Sequence, residues 1–372
     1  MEMGPPALAI ATACSQKYRA TILPEQFPLH PSQHSMPVAR VFCIVVLALS
    51  FSACFSKSPA LPQLGCDPAL VSISGLSSGG YSAVQMFVGY SSLYMGLGVV
   101  AGGPYYCAQD NLAIALSTCM KDPELILITD LEAITRSTAL SGFIDGVDHM
   151  KTSRVFILHG SQDIVVKQGV GIKLESYFKS FITAQGAVAS ELSVASGHGI
   201  PTLDYGAPCN SSNSPYILNC NFDGAGSIVG HIYDNRLDVH RAEQFDNSSF
   251  VTFDQTAFFH APVTAKLAGF DDTGFVYIPS RCSKRDSGCP VHVVLHGCRQ
   301  GFALMGATFM QYSGYAEWAE GSGIVLLFPQ AIVTDLNPDG CWDWWGFTGT
   351  NYAAQLGLQS RAVFDMVSKL LQ

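Results

Sequence analysis

The stretch LVSISGLSSGGYSAVQMF, residues 70–87, decides the fold of this chain. Its first half is short, apolar and β-branched, as is typical of a buried parallel strand, and its second half places apolar residues at helical spacing. Between the halves lies Gly75-x-Ser77-x-Gly79, a pattern whose glycines allow a sharp strand-to-helix turn that exposes one serine hydroxyl. The stretch therefore predicts Ser77 as a nucleophile; the alternative is a structural turn serine.

The composition limits the class of protein. The chain has 372 residues, enough for one large α/β domain or two ordinary ones. Hydrophobic residues make up 48% and charged residues 13%, which indicates a well-buried globular protein. The formal net charge of −9, without a cluster of lysines or arginines, argues against nucleic-acid binding.

Residues 1–53 are interpreted as segments that concern processing and export, and not as part of the folded domain. Residues 1–35 form an irregular extension, so either Met36 is the working start or these residues are an unusual leader. Residues 36–53 combine a basic start, a short apolar run and small residues, which predicts a signal peptide rather than a membrane span. A lipid anchor at Cys54 is the alternative. We therefore expect a secreted, extracellular protein without stable membrane insertion, in which residues 54–372 form a single domain.

The cysteines agree with export. Ten of them lie from residue 54 onward, and the close spacings Cys209/Cys220 and Cys282/Cys289 are typical of disulfide-stapled loops in an oxidising compartment. Zinc binding is the competing interpretation. The sequence has no C-x-x-C and no cysteine–histidine cluster at ligand spacing, so we expect no metal.

A carboxylate and a histidine follow the serine in the order that a catalytic triad requires. The stretch Arg154–Asp163 predicts a buried strand that ends in a short polar turn, and Asp163 lies just past the strand, where a carboxylate can orient a histidine. Asp130 and Asp145 are alternatives without such a strand before them, and His159 reads as a structural residue at the strand end. The acid predicted from the sequence is therefore Asp163.

The predicted base is His198. It lies between two glycines in a tight loop that follows a possible last strand at residues 192–194, whereas His231, His240 and His260 fall in stretches that read as helix or surface. The order Ser77, Asp163, His198 is that of α/β-hydrolases. In such a triad the serine attacks, the histidine transfers the proton and the aspartate fixes the histidine tautomer.

The order of the remaining strands predicts a circular permutation. An α/β-hydrolase needs several strands and an oxyanion loop ahead of the nucleophile strand, yet only a short segment precedes residue 70. Strand-like runs instead occur at residues 275–279, 290–298 and 323–329, and an apolar helical pattern covers residues 359–371. We predict that this last helix leads in space to the nucleophile strand, with a mostly parallel sheet flanked by helices.

Four motifs in one order resemble those of poly(3-hydroxybutyrate) depolymerases, in particular the fungal-type, single-domain, circularly permuted branch. They are Gly75–Gly80 (GLSSGG), Gly102–Tyr105 (GGPY), Leu295–Cys298 (LHGC) and Asn337–Trp345 (NPDGCWDWW). The resemblance covers roughly residues 65–372 and implies that Ser77, Asp163 and His198 are the triad. It also implies an oxyanion hole made by the amides of Ser78 and Cys298, and it places Trp344 in an aromatic segment associated with polymer binding. Residues 1–35 match nothing in the family.

The residues support part of this picture independently. A tetrahedral intermediate needs two donors, one from the residue after the nucleophile and one from the loop after an earlier strand. Residues 296–298 supply such a loop, the alternative being a simple strand-ending turn. Cys298 and Cys341 would then be bridged, which would tie this loop to the tryptophan segment.

The three tryptophans in this segment define a possible subsite. In an extended loop with alternating side chains, Trp342 and Trp344 share a face and Trp345 takes the other. An indole face suits a polyester that offers methyl and methylene groups but little charge. We therefore predict Trp344, Trp342 and, from the second motif (GGPY), Tyr105 as substrate-binding residues; a core position is the alternative for the tryptophans.

These expectations combine into one functional interpretation. The chain is predicted to be a monomeric serine esterase that cuts polyester through an acyl-enzyme, with no cofactor and no metal. A carboxylesterase acting on feruloyl, acetyl or other small esters is the first alternative. A non-catalytic binding protein that keeps the hydrolase shell is an alternative of another class.

Overall fold

The strand predicted at the start of the stretch 70–87 is present in the computed structural model, which describes residues 58–372. The predicted N-terminal extension, signal peptide and Cys54 lie outside the described residues. The described part contains eleven strands, which are, in chain order, β1 (Val71–Leu76), β2 (Gly96–Val100), β3 (Arg154–Leu158), β4 (Val188–Glu191), β5 (Ile200–Thr202), β6 (Ala207–Pro208), β7 (Ile217–Asn219), β8 (Phe250–Asp254), β9 (Thr273–Tyr277), β10 (Val291–Leu295) and β11 (Val325–Phe328).

Eight of these strands form one sheet, in the order β4-β3-β2-β1-β10-β11-β9-β8. The neighbours from β4 to β11 pair in parallel, whereas β9 pairs antiparallel with both β11 and β8. β5, β7 and β6 form a small second sheet of parallel pairs. β1 is buried along its whole length, as its apolar and small residues predict for a central parallel strand.

Helices cover both faces of the large sheet. They are α1 (Ser78–Gly89), α2 (Leu112–Leu116), α3 (Ile128–Leu140), α4 (Gln168–Lys179), α5 (Gly224–Tyr233), α6 (Phe302–Met305), α7 (Thr308–Tyr312), α8 (Tyr315–Ser322) and α9 (Leu358–Leu371). One core cluster packs α1, α3, α4 and α9 against the sheet, and a second packs α5, α7 and α8 against the opposite face. The predicted mostly parallel sheet flanked by helices is therefore confirmed.

The chain order of the strands is permuted, as predicted. β10 lies directly beside β1 in the sheet although it comes far later in the chain. The backbone amides of Leu64 and Cys66 donate hydrogen bonds to the carbonyl of Leu370, at 3.3 and 3.2 Å. The end of α9 therefore lies against the segment that leads into β1, which is the connection that an unpermuted chain would make covalently.

Four disulfides staple the loops among the described residues. Cys209–Cys220 and Cys282–Cys289 are formed as their spacing predicts, Cys298–Cys341 joins the two segments that the sequence suggested, and Cys107–Cys119 flanks α2. The last strand before the histidine loop was expected at residues 192–194 but is β4, which ends at Glu191. Within residues 58–372 no helix has both the length and the apolar character needed to cross a membrane.

Candidate active site

Ser77 lies at the sharp turn between β1 and α1. Its backbone has φ +56° and ψ −120°, a conformation that L-residues rarely adopt, and its amide donates to the carbonyl of Val100 at 2.8 Å. The two flanking glycines are required by close contact. A Cβ atom on Gly75 would lie 2.2 Å from the carbonyl oxygen of Gly79, and one on Gly79 would lie 2.4 Å from that of His296. The sequence therefore forms the strained elbow that its pattern predicts.

The structure brings Ser77, His198 and Asp163 together. The Ser77 hydroxyl donates to Nε2 of His198 at 2.9 Å, and Nδ1–H of His198 donates to Oδ2 of Asp163 at 2.7 Å. The other carboxylate oxygen accepts the amides of Val165 and Val166, at 2.8 and 2.9 Å. These bonds fix the His198 tautomer so that Nε2 can accept a proton from the serine.

Neither alternative acid is paired with His198, whereas His159 lies close to Asp163, with its Nε2 3.7 Å from Oδ2. Asp130 belongs to α3, and Asp145 accepts bonds from Ser92 and Gln355, so His198 is paired with neither. His159 is buried, and its Nε2–H donates to the carbonyl of Val166 at 2.9 Å. Burial lowers the pKa of His159, which keeps this ring neutral behind the Asp163 carboxylate.

The Asp163 carboxylate is held in its ionised form. Burial raises its pKa, but the hydrogen bond from His198, the neighbouring imidazoles and the amide of Val166 outweigh that effect and hold the pKa below its usual value. An ionised carboxylate can stabilise an imidazolium that forms when His198 takes a proton.

The sequence predicts that the backbone amides of Ser78 and Cys298 form an oxyanion hole. Ser78 is the first residue of α1, so its amide has no acceptor in a preceding helical turn. Cys298 follows the end of β10 and lines the same cleft as Ser77. Within residues 58–372 the Cys298 amide has no hydrogen-bond acceptor.

The buried ring of His296 forms hydrogen bonds that stabilise the loop after β10. The amide of Ala331 donates to its Nε2 at 3.1 Å, so Nδ1 carries the proton and donates to the carbonyl of Gly297 at 2.7 Å. Burial lowers the pKa of His296 to about 4, which agrees with a neutral ring that both donates and accepts. The His296 ring and the Gly297 backbone of the LHGC motif are therefore held by hydrogen bonds, whereas the Cys298 amide has no acceptor among the described residues.

The serine opens into a cleft of about 470 Å³. Much of its wall is apolar, and its apolar side chains come from Leu76, Tyr81, Leu112, Leu116, Met120, Val165, Val166, Leu336, Pro338, Trp344 and Trp345. Among the described lining residues the fixed charges are Arg299 and Asp339, which pair at 2.8 Å between Nε and Oδ1. The cleft therefore presents apolar surface without net fixed charge, which suits an uncharged ester.

The tryptophans do not alternate as expected. Trp344 and Trp345 both line the cleft, whereas Trp342 is fully buried and packs against Phe270 and His296. The prediction that Trp342 and Trp344 share a face is therefore wrong. Tyr105 is also buried, at 2% exposure, and does not line the cleft. The sequence interpretation missed Trp345, which lies in the cleft wall instead.

Asp343 explains why the segment departs from an extended strand. Its two carboxylate oxygens accept the amides of Trp345, Gly346, Phe347 and Thr348, and also the Thr348 hydroxyl. A chain that converges four successive amides on one carboxylate is a tight turn, so the period of two does not hold beyond Asp343. As for metals, residues 58–372 contain no group of three or more histidine, cysteine, aspartate or glutamate side chains that could hold an ion.

Comparisons with known proteins identify the family of this chain. No protein-family model matches the chain. It is 37% identical over 312 residues to a poly(3-hydroxybutyrate) depolymerase of Delftia acidovorans, a match that covers 83% of this chain but only 61% of that protein. It is 34% identical over 340 residues to a polyhydroxybutyrate depolymerase of Talaromyces funiculosus, which covers 84% of this chain and 92% of the relative.

Solved structures give the same result. A PHB depolymerase from Penicillium funiculosum superposes with a TM-score of 0.74, at 33% identity, over 84% of this chain and 98% of that one. A serine-to-alanine variant of a PHB depolymerase complexed with an R3HB trimer superposes with a TM-score of 0.75, with the same identity and coverage. With the relative from Talaromyces covered almost throughout, the chain belongs to the poly(3-hydroxybutyrate) depolymerase family of α/β-hydrolase-fold ester hydrolases.

Proposed function

We propose that this protein is a secreted serine esterase that hydrolyses poly(3-hydroxybutyrate) or related short-chain polyhydroxyalkanoates through an acyl-enzyme. The observation that carries the proposal is the 2.9 Å hydrogen bond from Ser77 to His198 on the wall of an apolar cleft. Family membership supports the substrate class. Four disulfides among the described residues support an oxidising, extracellular location.

In the proposed acylation step Ser77 is the nucleophile, and His198 first accepts and then donates a proton. Oγ of Ser77 forms a bond to the ester carbonyl carbon while its proton moves to Nε2 of His198. The carbonyl oxygen becomes an oxyanion, which accepts hydrogen bonds from the amides of Ser78 and Cys298. When the tetrahedral intermediate collapses, the ester C–O bond breaks and His198 gives its proton to the leaving alkoxide. Asp163 stabilises the imidazolium throughout.

Deacylation repeats the sequence with water as the nucleophile. His198 takes a proton from water, the hydroxide oxygen attacks the acyl carbon, and Ser77 leaves after receiving the proton. The product is a free carboxylic acid. No step needs a metal or an organic cofactor.

The surface around the cleft supports a polymer rather than a small ester as substrate. Leu112, Leu116 and Leu336 line the cleft and are 50%, 53% and 72% exposed. Exposed leucines beside an active site form an apolar rim that suits a hydrophobic chain longer than the buried ester group. Trp344 and Trp345 continue that apolar surface towards Ser77.

Two experiments test the proposal. A fluorophosphonate probe should label the wild-type protein and the Ser141→Ala control, whose exposed serine ends α3, but not Ser77→Ala. Loss of the nucleophile should lower turnover by about 10⁶. Absence of labelling in the wild type would revive the non-catalytic alternative.

The second experiment identifies the substrate. Purified protein should release 3-hydroxybutyrate or its short oligomers from polymer film. Hydrolysis of feruloyl or acetyl esters without release of soluble product from the film would favour the carboxylesterase alternative.

A further inference from the structure

One buried side chain joins the two loops that carry the proposed base and the proposed oxyanion donor. Gln300 lies two residues after Cys298 and is 1% exposed. Its Oε1 accepts the amide of Gly297 at 2.7 Å, and its Nε2 donates to the carbonyl of Pro215 at 2.9 Å. The proposed mechanism does not use this side chain, although its amide oxygen and its amide nitrogen both form hydrogen bonds beside the cleft.

The two partners of Gln300 have different neighbours. Gly297 packs against the nucleophile, since a Cβ atom built on it would lie 3.5 Å from the Cβ of Ser77. Pro215 precedes Tyr216, whose ring meets that of His198 edge-on, with ring centroids 6.3 Å apart. A single amide group therefore links the backbone beside the nucleophile to the backbone beside the histidine.

Peptide planarity explains how this link acts on the Cys298 amide. The carbonyl of Gly297 accepts Nδ1–H of His296 at 2.7 Å and the backbone amide of Gln300 at 3.3 Å. In a trans peptide the N–H bond points opposite to the C=O bond of the same unit. Holding the Gly297 carbonyl from one side therefore directs the Cys298 N–H to the other side. The side chain of Gln300 fixes the preceding peptide, so that both units adjoining Gly297 are restrained.

We propose that Gln300 is a positioning residue that orients the Cys298 amide for the oxyanion and keeps this loop in register with the loop beside His198. This inference rests on the proposed function, because it assumes that the Cys298 amide binds the oxyanion. An oxyanion donor contributes most when its direction is set before the reaction, since reorientation then costs nothing in the transition state. Gln300 is therefore expected to affect turnover much more than substrate binding.

The test compares two buried glutamines. Gln255 is fully buried and binds three backbone groups, the amide of Gln330 and the carbonyls of Asp271 and Gln330, away from the cleft. Gln300→Met and Gln255→Met keep the side-chain length and remove the hydrogen bonds. Both should lower the melting temperature. Only Gln300→Met should lower kcat for a soluble aryl butyrate, by about ten- to a thousandfold, with KM within about threefold of the wild-type value.

A transition-state analogue separates orientation from folding. When Ser77 adds to an aryl trifluoromethyl ketone, the ketone oxygen becomes an oxyanion and the serine proton moves to His198. The affinity of Gln300→Met for this ketone should fall by about the same factor as kcat. The value of kcat is calculated from the concentration of active sites that fluorophosphonate labels, so that unfolded protein is not counted. Gln300→Asn, whose shorter side chain cannot reach both partners, gives the same test if Gln300→Met does not fold.

Each outcome has one meaning. A kcat and a ketone affinity within threefold of the wild-type values in Gln300→Met, per labelled site, would overturn the role of Gln300 while leaving the esterase proposal intact. An equal fall in kcat for Gln255→Met would assign both effects to general destabilisation and would also overturn it. Failure of the wild-type protein to react with fluorophosphonate would instead refute the proposed function.

Discussion

The indole ring of Trp344 stacks on the phenol ring of Tyr81, with ring centroids 4.1 Å apart and planes inclined by 19°. Tyr81 lies in the first turn of α1, and its amide donates to the carbonyl of Ser77 at 2.9 Å. The Tyr81 hydroxyl donates to the carbonyl of Cys119. Trp344, which forms part of the cleft wall, therefore packs against the first turn of α1, directly after Ser77. This packing fixes the distance between the indole ring and the position of the reacting carbonyl.

The first prediction is that Trp344→Ala selects against long substrates. Loss of one aromatic contact is expected to lower hydrolysis of polymer and hydroxybutyrate oligomers about ten- to a hundredfold, with a smaller effect on a short aryl ester. The measurement is the ratio of the two rates, beside a thermal melt. Trp342→Phe is the matched control, because Trp342 is in the core and its truncation should lower stability and both rates together. If Trp344→Ala instead lowered the melting temperature and both rates together, as expected for Trp342→Phe, Trp344 would have a structural role and not a subsite role.

The second prediction concerns the carboxylate of Asp343. Asp343→Asn replaces one acceptor oxygen with an amide group, which leaves partly buried donors of the 345–348 turn without a partner. We expect a loss of about 1–3 kcal/mol in the free energy of unfolding and a rise in KM for oligomers, because the turn positions Trp344 and Trp345. Asp335→Asn, at an exposed position in the same segment, should change neither quantity. An unchanged KM in Asp343→Asn would separate the turn from the subsite.

The third prediction is that the Cys298–Cys341 disulfide supports both stability and turnover. It closes a loop with a sequence separation of 43 residues, so its removal by alanine at both positions should cost about 4 kcal/mol. The Cys298 amide remains in this variant but loses a tether, so kcat should fall as well. Removal of Cys282–Cys289, whose separation is 7 residues, should lower stability less and leave the kcat of the folded protein unchanged. Equal kcat in both variants would contradict a role for the bridge at the site.

The fourth prediction is a pH dependence of stability. Burial lowers the pKa of His292 to about 3 and that of His296 to about 4, whereas histidine in an unfolded chain titrates with a pKa near 6.5. Below about pH 6.5 the unfolded state therefore binds more protons than the folded state, so stability decreases as the pH falls. Each of the two histidines should contribute a slope that rises from about 0.7 kcal/mol per pH unit at pH 6.5 to about 1.4 kcal/mol per pH unit near pH 5.

Denaturant unfolding between pH 5 and 6.5 measures this slope. His292→Gln should reduce the slope by the contribution of one histidine, whereas His260→Gln, at an exposed position, should leave it unchanged. A slope that is the same in His292→Gln and in the wild type would show that His292 does not remain neutral in the folded protein.

The sequence predicted the parts of this site that depend on local pattern. The elbow follows from Gly75-x-Ser77-x-Gly79, because only glycines tolerate contacts as short as those of Gly75 and Gly79. The position of Asp163 follows from the strand that ends at Leu158, since a carboxylate beyond a parallel strand lies at the edge where a catalytic site forms. Ser77, Asp163 and His198 were therefore brought together as expected.

Other parts depend on contacts between distant segments. The alternation of side chains assumed for residues 342–345 does not occur, because the Asp343 carboxylate binds the amides of the following residues and forms a turn. A pattern of hydrophobic residues does not indicate such a turn. No local sequence pattern identifies Gln300, because its proposed role depends on a hydrogen bond to the carbonyl of Pro215, which is 85 positions away in the chain. Tyr105 was selected from a motif, and its burial is decided by packing that no local pattern predicts.

The permuted strand order has a consequence for biosynthesis. Ser72 of β1 bonds to His292 of β10 across a sequence separation of 220 residues, so the neighbour of the nucleophile strand is translated long after it. Non-local pairing of this kind is slow, since loop-closure entropy is lost before the contacts form. The turn that carries Cys298, the proposed second oxyanion donor, is therefore added only after β1, α1 and every segment up to β10 have been synthesised. A chain that terminates before β10 is expected to lack both this donor and esterase activity.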